Sequence, residues 1–193
     1  MAAVPVVVWS DFTCPWSYVT EAALRRLEDE GRAAPRYAAF ELYPAPAPLP
    51  PPDAEWPDAL RDLARAAGVE LRPPVAAART RKAHEAALFA AAKGAGRAMR
   101  EAIFAAYFRD GLDVGRIDVL IELGAELGLD RSEMKAVLDI DALTGRVLGE
   151  AAAARRLGVD AVPSLVIGEG TAATLMVGAQ SREALREALE QVG

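Results

Sequence analysis

The sequence predicts an α/β fold: a β-α-β unit, a long all-helical insertion, and a closing β-β-α unit. Three observations carry this. Strand signals stand only near the two ends of the chain, and the stretch between them has helical spacing punctuated by Gly. Of the 193 residues, 42 are Ala, the residue with the best helix propensity and no rotamer entropy to lose.

The elements follow in order. Val4 to Trp9 is a β-branched run bounded by turn residues, the pattern of a buried strand. From Pro15 to about Glu30, Tyr18, Ala22, Ala23 and Leu27 recur at helical spacing, and Gly31 offers a stop. Arg36 to Leu42 reads as a second strand, so the opening implies a parallel pair with a right-handed crossover. Six of the nine residues from Pro44 to Pro52 are Pro, which predicts a semi-rigid connector. Helices are expected at about 57–67, 79–94, 97–109, 117–127, 131–138 and 142–157. Asp130 and Glu133 have the spacing of a reciprocal N-cap box. Ser164–Ile167 and Thr174–Val177 then read as a hairpin, and Ser181 caps a last helix from Arg182 to about Gln191.

Composition removes several functions. Lys and Arg number 22 against 28 Asp and Glu, a net charge of −6, so nucleic acid is not the expected partner. One Cys rules out an internal disulfide, a thiolate zinc cluster or a two-thiol CxxC centre, and one His rules out a multi-histidine metal site. No phosphate-binding Gly-rich loop is present, so no nucleotide cofactor is expected. The apolar run at the start is too short for a signal core or a membrane span. These features favour a soluble, cytosolic protein with reduced thiols, and they leave its oligomeric state open.

The lone Cys is therefore the residue to place. Cys14 sits where the first strand gives way to the first helix, and Pro15 suits the first helical position, where no N–H is needed. Cys14 is then the N-cap, its sulfur near free amides and the positive end of the helix dipole. Such sites lower a Cys pKa from about 8.5 into roughly 3.5–7.5. The Ser17 hydroxyl, three residues on, can donate a hydrogen bond to the same sulfur.

The string Asp11-Phe12-Thr13-Cys14-Pro15-Trp16-Ser17-Tyr18 resembles the active-site segment of the DsbA family, especially its FrnE-like cytosolic branch. Gly158-Val159-Asp160-Ala161-Val162-Pro163 resembles that family's second marker, which ends in a cis-proline. Thr80-Arg81-Lys82-Ala83-His84 and Tyr107-Phe108-Arg109-Asp110-Gly111 are similar to stretches of its inserted helices. The resemblance implies a thioredoxin-like domain of residues 1–56 and 146–193, interrupted by a helical insertion domain at 57–145. It implies that Cys14 is the nucleophile, that Pro163 packs beside it, and that Val162 pairs its backbone with substrate. Pro15 and Trp16 fall on the substrate side of the same motif.

Ser17 departs from the pattern, since it stands where the family places a resolving Cys. A hydroxyl does not attack a disulfide at neutral pH, so an outside thiol has to release any mixed disulfide on Cys14. The expectation is monothiol redox chemistry acting on protein or small-molecule thiols and disulfides. No cofactor is expected to be tightly bound, and glutathione is the expected co-substrate. Two alternatives remain at this stage: a glutathione-dependent isomerase or transferase of the 2-hydroxychromene-2-carboxylate isomerase or kappa type, and a redox-inactive peptide-binding module. His84 carries two readings as well, a buried core residue or a group over the cleft that tunes Cys14 and contacts substrate. Tyr18 is expected to pack the first helix on the sheet, and Met99, Ile103 and Tyr107 to form insertion core.

Overall fold

A computed structural model of the protein describes residues 2–52 and 55–192. The chain runs β1 (Val4–Ser10), α1 (Pro15–Asp29) and β2 (Ala33–Ala39), and then α2 (Asp58–Ala67), α3 (Arg81–Ala92), α4 (Gly96–Phe108), α5 (Ile117–Glu126), α6 (Arg131–Asp139) and α7 (Thr144–Arg156). It closes with β3 (Ser164–Ile167), β4 (Thr174–Val177) and α8 (Arg182–Val192). This is the predicted α/β architecture.

The four strands form one mixed sheet in the order β2-β1-β3-β4. β1 pairs with β2 in parallel, as a β-α-β unit requires, and β3 is antiparallel to both β1 and β4. β1 is central and covered on both faces, which is why it reads as an unbroken apolar run. Val6 and Val8 face α1 and α8, meeting Ala23, Leu24, Leu27, Leu185 and Leu189. On the other face Trp9 and Ala38 pack with Ala151 and Ala154 of α7. Gly31 ends α1 with φ +68°, a conformation that side-chain-bearing residues rarely adopt, and its amide closes the turn on the Glu28 carbonyl.

One strand differs from expectation. The β2 ladder spans Ala33 to Ala39, not Arg36 to Leu42, because the chain leaves the sheet at Phe40. The Phe40 amide still donates to the Ser10 carbonyl at 3.3 Å, but the Leu42 amide turns to a carboxylate, donating to Asp11 Oδ2 at 2.5 Å; on the outer edge of the strand Ala39 N–H donates to Glu150 Oε2 at 2.7 Å. The apolar pattern of Phe40 and Leu42 continues, but the Leu42 backbone is bound to the site loop. The helices otherwise end within about two residues of their expected limits.

The largest core lies among the inserted helices and continues through Phe12 of the site loop into Tyr18 and Val19 of α1. Tyr18 does not pack on the sheet. It stacks on Phe104 at 5.0 Å and Phe108 at 5.9 Å, so it joins α1 to α4. Met99, Ile103 and Tyr107 are buried in the same core. A buried polar cluster ties the two parts further: Arg100 of α4 donates to both Glu21 carboxylate oxygens and to Ser10 Oγ, at 2.5 to 2.9 Å. At α6 only half of the N-cap box forms. Asp130 accepts from the Glu133 amide at 2.7 Å, while the Glu133 side chain pairs with Lys93. Among the described residues no helix is long and apolar enough to cross a membrane.

Candidate active site

β1 ends at Ser10, and Asp11-Phe12-Thr13 turns the chain into α1 with Cys14 at the N-cap and Pro15 at the first helical position. Asp11 builds this turn. Its Oδ1 accepts from the Thr13 amide at 3.2 Å, its carbonyl from the Cys14 amide at 3.1 Å, and its Oδ2 holds the Leu42 amide. Asp11 and Phe12 are completely buried, so the loop is anchored from below.

Across from Cys14 lies the turn into β3, where the Val162–Pro163 peptide bond is cis. The Cys14 thiol donates to the Val162 carbonyl at 3.5 Å. Two segments far apart in sequence thus meet at the sulfur. Ser164 is buried and donates to the Ala161 carbonyl at 2.8 Å, fixing the turn that presents Val162.

The electrostatics of Cys14 differ from the expectation of an acidic thiol. The residue is 5% exposed, and burial pushes its pKa above the ordinary value; the negative charge of Asp11 adds to this. The Ser17 hydroxyl and the amides of Ser17 and Trp16 act the other way and do not overcome burial. The helix start is as expected, yet no side-chain capping bond to the sulfur forms. A thiol that gives its proton to a carbonyl is stabilised in its neutral form.

Ser17 is fully buried, and its Oγ has no partner in strict hydrogen-bond geometry, so its effect on the sulfur is that of a nearby dipole. Asp11 has a pKa raised to about 6 by burial, against the Leu42 and Thr13 amides and the Thr80 hydroxyl that favour its charge. His84 sits beneath this loop. Its Nε2 is 3.9 Å from Asp11 Oδ1, too far for a hydrogen bond, and its ring packs on Phe12 at 4.9 Å. Burial, aided by the charges of Arg100 and Arg81, holds its pKa well below the usual range, so it is a neutral ring at physiological pH.

A cavity of about 240 Å³ opens beside the sulfur. Thr13, Cys14, Pro15 and Trp16 form one wall, and Trp56, Tyr107 and Phe108 form another. Leu49 and Pro50 to Pro52 complete it, so the Pro-rich stretch expected to be a connector is part of the site. Cys14, Pro15 and Trp16 are thus brought together, with Val162 and Pro163 behind the sulfur. His84 is not among the cavity's lining residues; it lines a second cavity of about 310 Å³, with Tyr37, Arg97 and Arg100. Among the described residues no group of three His, Cys, Asp or Glu is placed to hold a metal ion.

Sequence reading gave no role to Asp11, Tyr43, Trp56 or Phe108. Asp11 carried a usable signal, a lone acid between a buried strand and a helix start. Of the aromatic wall, Phe108 stands in a stretch similar to the family's inserted helices, while Tyr43 and Trp56 carried no signal, because they come from separate segments.

Comparison with known proteins agrees with this geometry. The DSBA-like thioredoxin domain model matches residues 5–190. The uncharacterized protein YwbO of Bacillus subtilis is 28% identical over 196 residues, covering 96% of each chain. A probable DsbA oxidoreductase from Streptomyces coelicolor superimposes with a TM-score of 0.83 at 27% identity, over 98% of this chain and 89% of that one. A 2-hydroxychromene-2-carboxylate isomerase gives a TM-score of 0.74 at 21% identity, over 94% and 90% of the two chains. The cytosolic disulfide reductase DsbM of Pseudomonas aeruginosa gives 0.69 at 19%, over 89% and 88%, and has also been solved with glutathione. At those last two identities the likeness is one of fold. With a family match over nearly its whole length, and a cysteine N-cap facing a cis-proline turn, the chain belongs to the DSBA-like thioredoxin domain family.

Proposed function

We propose that this protein is a monothiol thiol–disulfide oxidoreductase in which Cys14 is the nucleophile and an external thiol, glutathione, completes the cycle. The observation that carries the reading is the pairing of a single Cys at the α1 N-cap with the Val162–Pro163 turn, while Ser17 occupies the place of a second thiol. Cys14 loses its proton to solvent and its sulfur attacks one sulfur of a disulfide R–S–S–R′. A Cys14–S–S–R bond forms, the R–S–S–R′ bond breaks, and R′–S⁻ leaves. Glutathione thiolate then attacks Cys14–S–S–R, and Ser17 takes no part in this release. Trp16 and Pro15 shape the approach, and Val162 and Pro163 hold the sulfur's neighbourhood. His84, neutral and buried beneath the loop, supports the position of Phe12 and Asp11 and does not contact substrate. Likeness to a cytosolic disulfide reductase also solved with glutathione supports a cytosolic reading.

The test is a coupled assay in which glutathione reduces hydroxyethyl disulfide, followed through NADPH and glutathione reductase. The parent protein is expected to accelerate the reaction and Cys14→Ala to remove the acceleration. Equal rates with and without protein would refute the reading.

The aromatic cavity and the fold shared with a 2-hydroxychromene-2-carboxylate isomerase favour a second reading, a glutathione-dependent isomerase in which the active sulfur belongs to glutathione. Full activity of Cys14→Ser on an aromatic substrate would select it.

A further inference from the structure

The walls of the cavity beside Cys14 have a composition unlike that of the chain. Charged residues make up 26% of the sequence, yet among the described residues no Asp, Glu, Lys or Arg lines this cavity. Five of the chain's twelve aromatic residues do: Trp16, Tyr43, Trp56, Tyr107 and Phe108. The Tyr107 hydroxyl is already used, donating to the Ala76 carbonyl at 3.1 Å, and Trp56 is held edge-on to Phe108 at 6.0 Å. An ionised group carried into such walls loses its hydration and gains no charged partner among the described lining residues. A planar ring gains contact with aromatic faces and edges on several sides.

Size points the same way. An apolar cavity of about 150 Å³ holds a benzene ring, so 240 Å³ admits one aromatic ring with the attached sulfur. Leu49 to Pro52, with Pro74, Ala77 and Ala78, line the same space. A space of this volume fits a small molecule better than a polypeptide.

We infer that the disulfide attacked by Cys14 is a small, uncharged aromatic one, and that glutathione acts second, as the reductant. This rests on the thiol–disulfide reading above and names its substrate class. Cys14–S⁻ attacks Ar–S–S–Ar, giving Cys14–S–S–Ar and Ar–S⁻. One glutathione thiolate attacks the Cys14 sulfur, giving Cys14–S–S–G and the second Ar–S⁻; another attacks the glutathione sulfur of Cys14–S–S–G, forming oxidised glutathione and freeing Cys14–S⁻. The sum is one diaryl disulfide and two glutathiones converted to two aryl thiols and one oxidised glutathione. An aryl thiolate is a weakly basic leaving group and departs readily, which suits a buried nucleophile.

The experiment compares second-order rates of Cys14 with three disulfides: neutral 4,4′-dithiodipyridine, anionic 5,5′-dithiobis(2-nitrobenzoate) and neutral aliphatic hydroxyethyl disulfide. Each rate is divided by that of the same reagent with the urea-unfolded protein at the same pH, which removes intrinsic reactivity. The normalised rate with dithiodipyridine is expected to exceed the other two at least tenfold. Trp56→Leu and, at the more exposed rim, Tyr43→Leu are each expected to shrink that ratio below threefold. Normalised rates equal within threefold in the parent, or a preference for the anionic reagent, would overturn the inference while leaving the monothiol reading intact. Failure of Cys14 to react with any of the three would refute both.

Discussion

At Cys14 two influences oppose each other, and burial wins. The N-cap position and the Ser17 dipole favour a thiolate, while exclusion of water and the neighbouring Asp11 favour a thiol. The alkylation rate of Cys14 by iodoacetamide is therefore expected to climb steadily from pH 7 to 9, with no plateau near neutrality. An acidic thiol would give a flat profile over that range, readable by mass spectrometry because the chain has one Cys. Asp11→Asn removes a negative charge from the surroundings and is expected to raise the rate at pH 7.5 a few-fold. Ser17→Cys is expected to restore a two-thiol centre: oxidised glutathione then yields an internal disulfide, seen as the loss of two hydrogens, in place of a lasting adduct. Cys14, Pro15 and Ser17 were legible in the sequence because local spacing defines a helix start. The acidity of the thiol was not, since burial is set by Val162 and by cavity walls remote in sequence.

Among the elements, α1 and α4 are joined by the buried Arg100–Glu21 pair with Ser10, and Arg100 also lies over the Phe12 and Tyr37 rings at 4.7 and 4.9 Å. Arg100→Leu leaves the Glu21 carboxylate buried without its partner and is expected to cost about 3–5 kcal/mol in urea unfolding. A loss below about 1 kcal/mol would show that water or another group replaces the guanidinium. The helices and three of the four strands could be read from periodicity and Gly stops. The C-terminal limit of β2 could not, because Asp11 captures the amide of Leu42, and such a capture leaves no mark in apolar spacing. Tyr18 was misplaced for a related reason: its period fixes which helix face it occupies, not whether sheet or insertion covers that face.

For the whole molecule, the inserted helices and α1 share one continuous core, so the site is supported from both sides. Its buried acid links the site to global stability. The Asp11 pKa is raised from 3.8 to about 6 in the fold, so between those values the native state holds a proton that the unfolded chain releases. Its contribution is present below about pH 4, falls as pH rises through about 6, and amounts to about 3 kcal/mol at most. His84 acts oppositely, since its lowered pKa makes stability from that group fall as pH drops below about 6.5. Asp11→Asn is expected to remove the decline assigned to the acid, measured as the pH dependence of the urea midpoint.

The central claim is that Cys14 cycles through a mixed disulfide that only an outside thiol can release. Incubation with oxidised glutathione, followed by intact mass at intervals, tests it most directly. One glutathione per chain is expected, forming faster at pH 9 than at pH 7, persisting after removal of free thiol, and leaving when reduced glutathione is added. No adduct at either pH, or loss of the adduct without added thiol, would contradict the account.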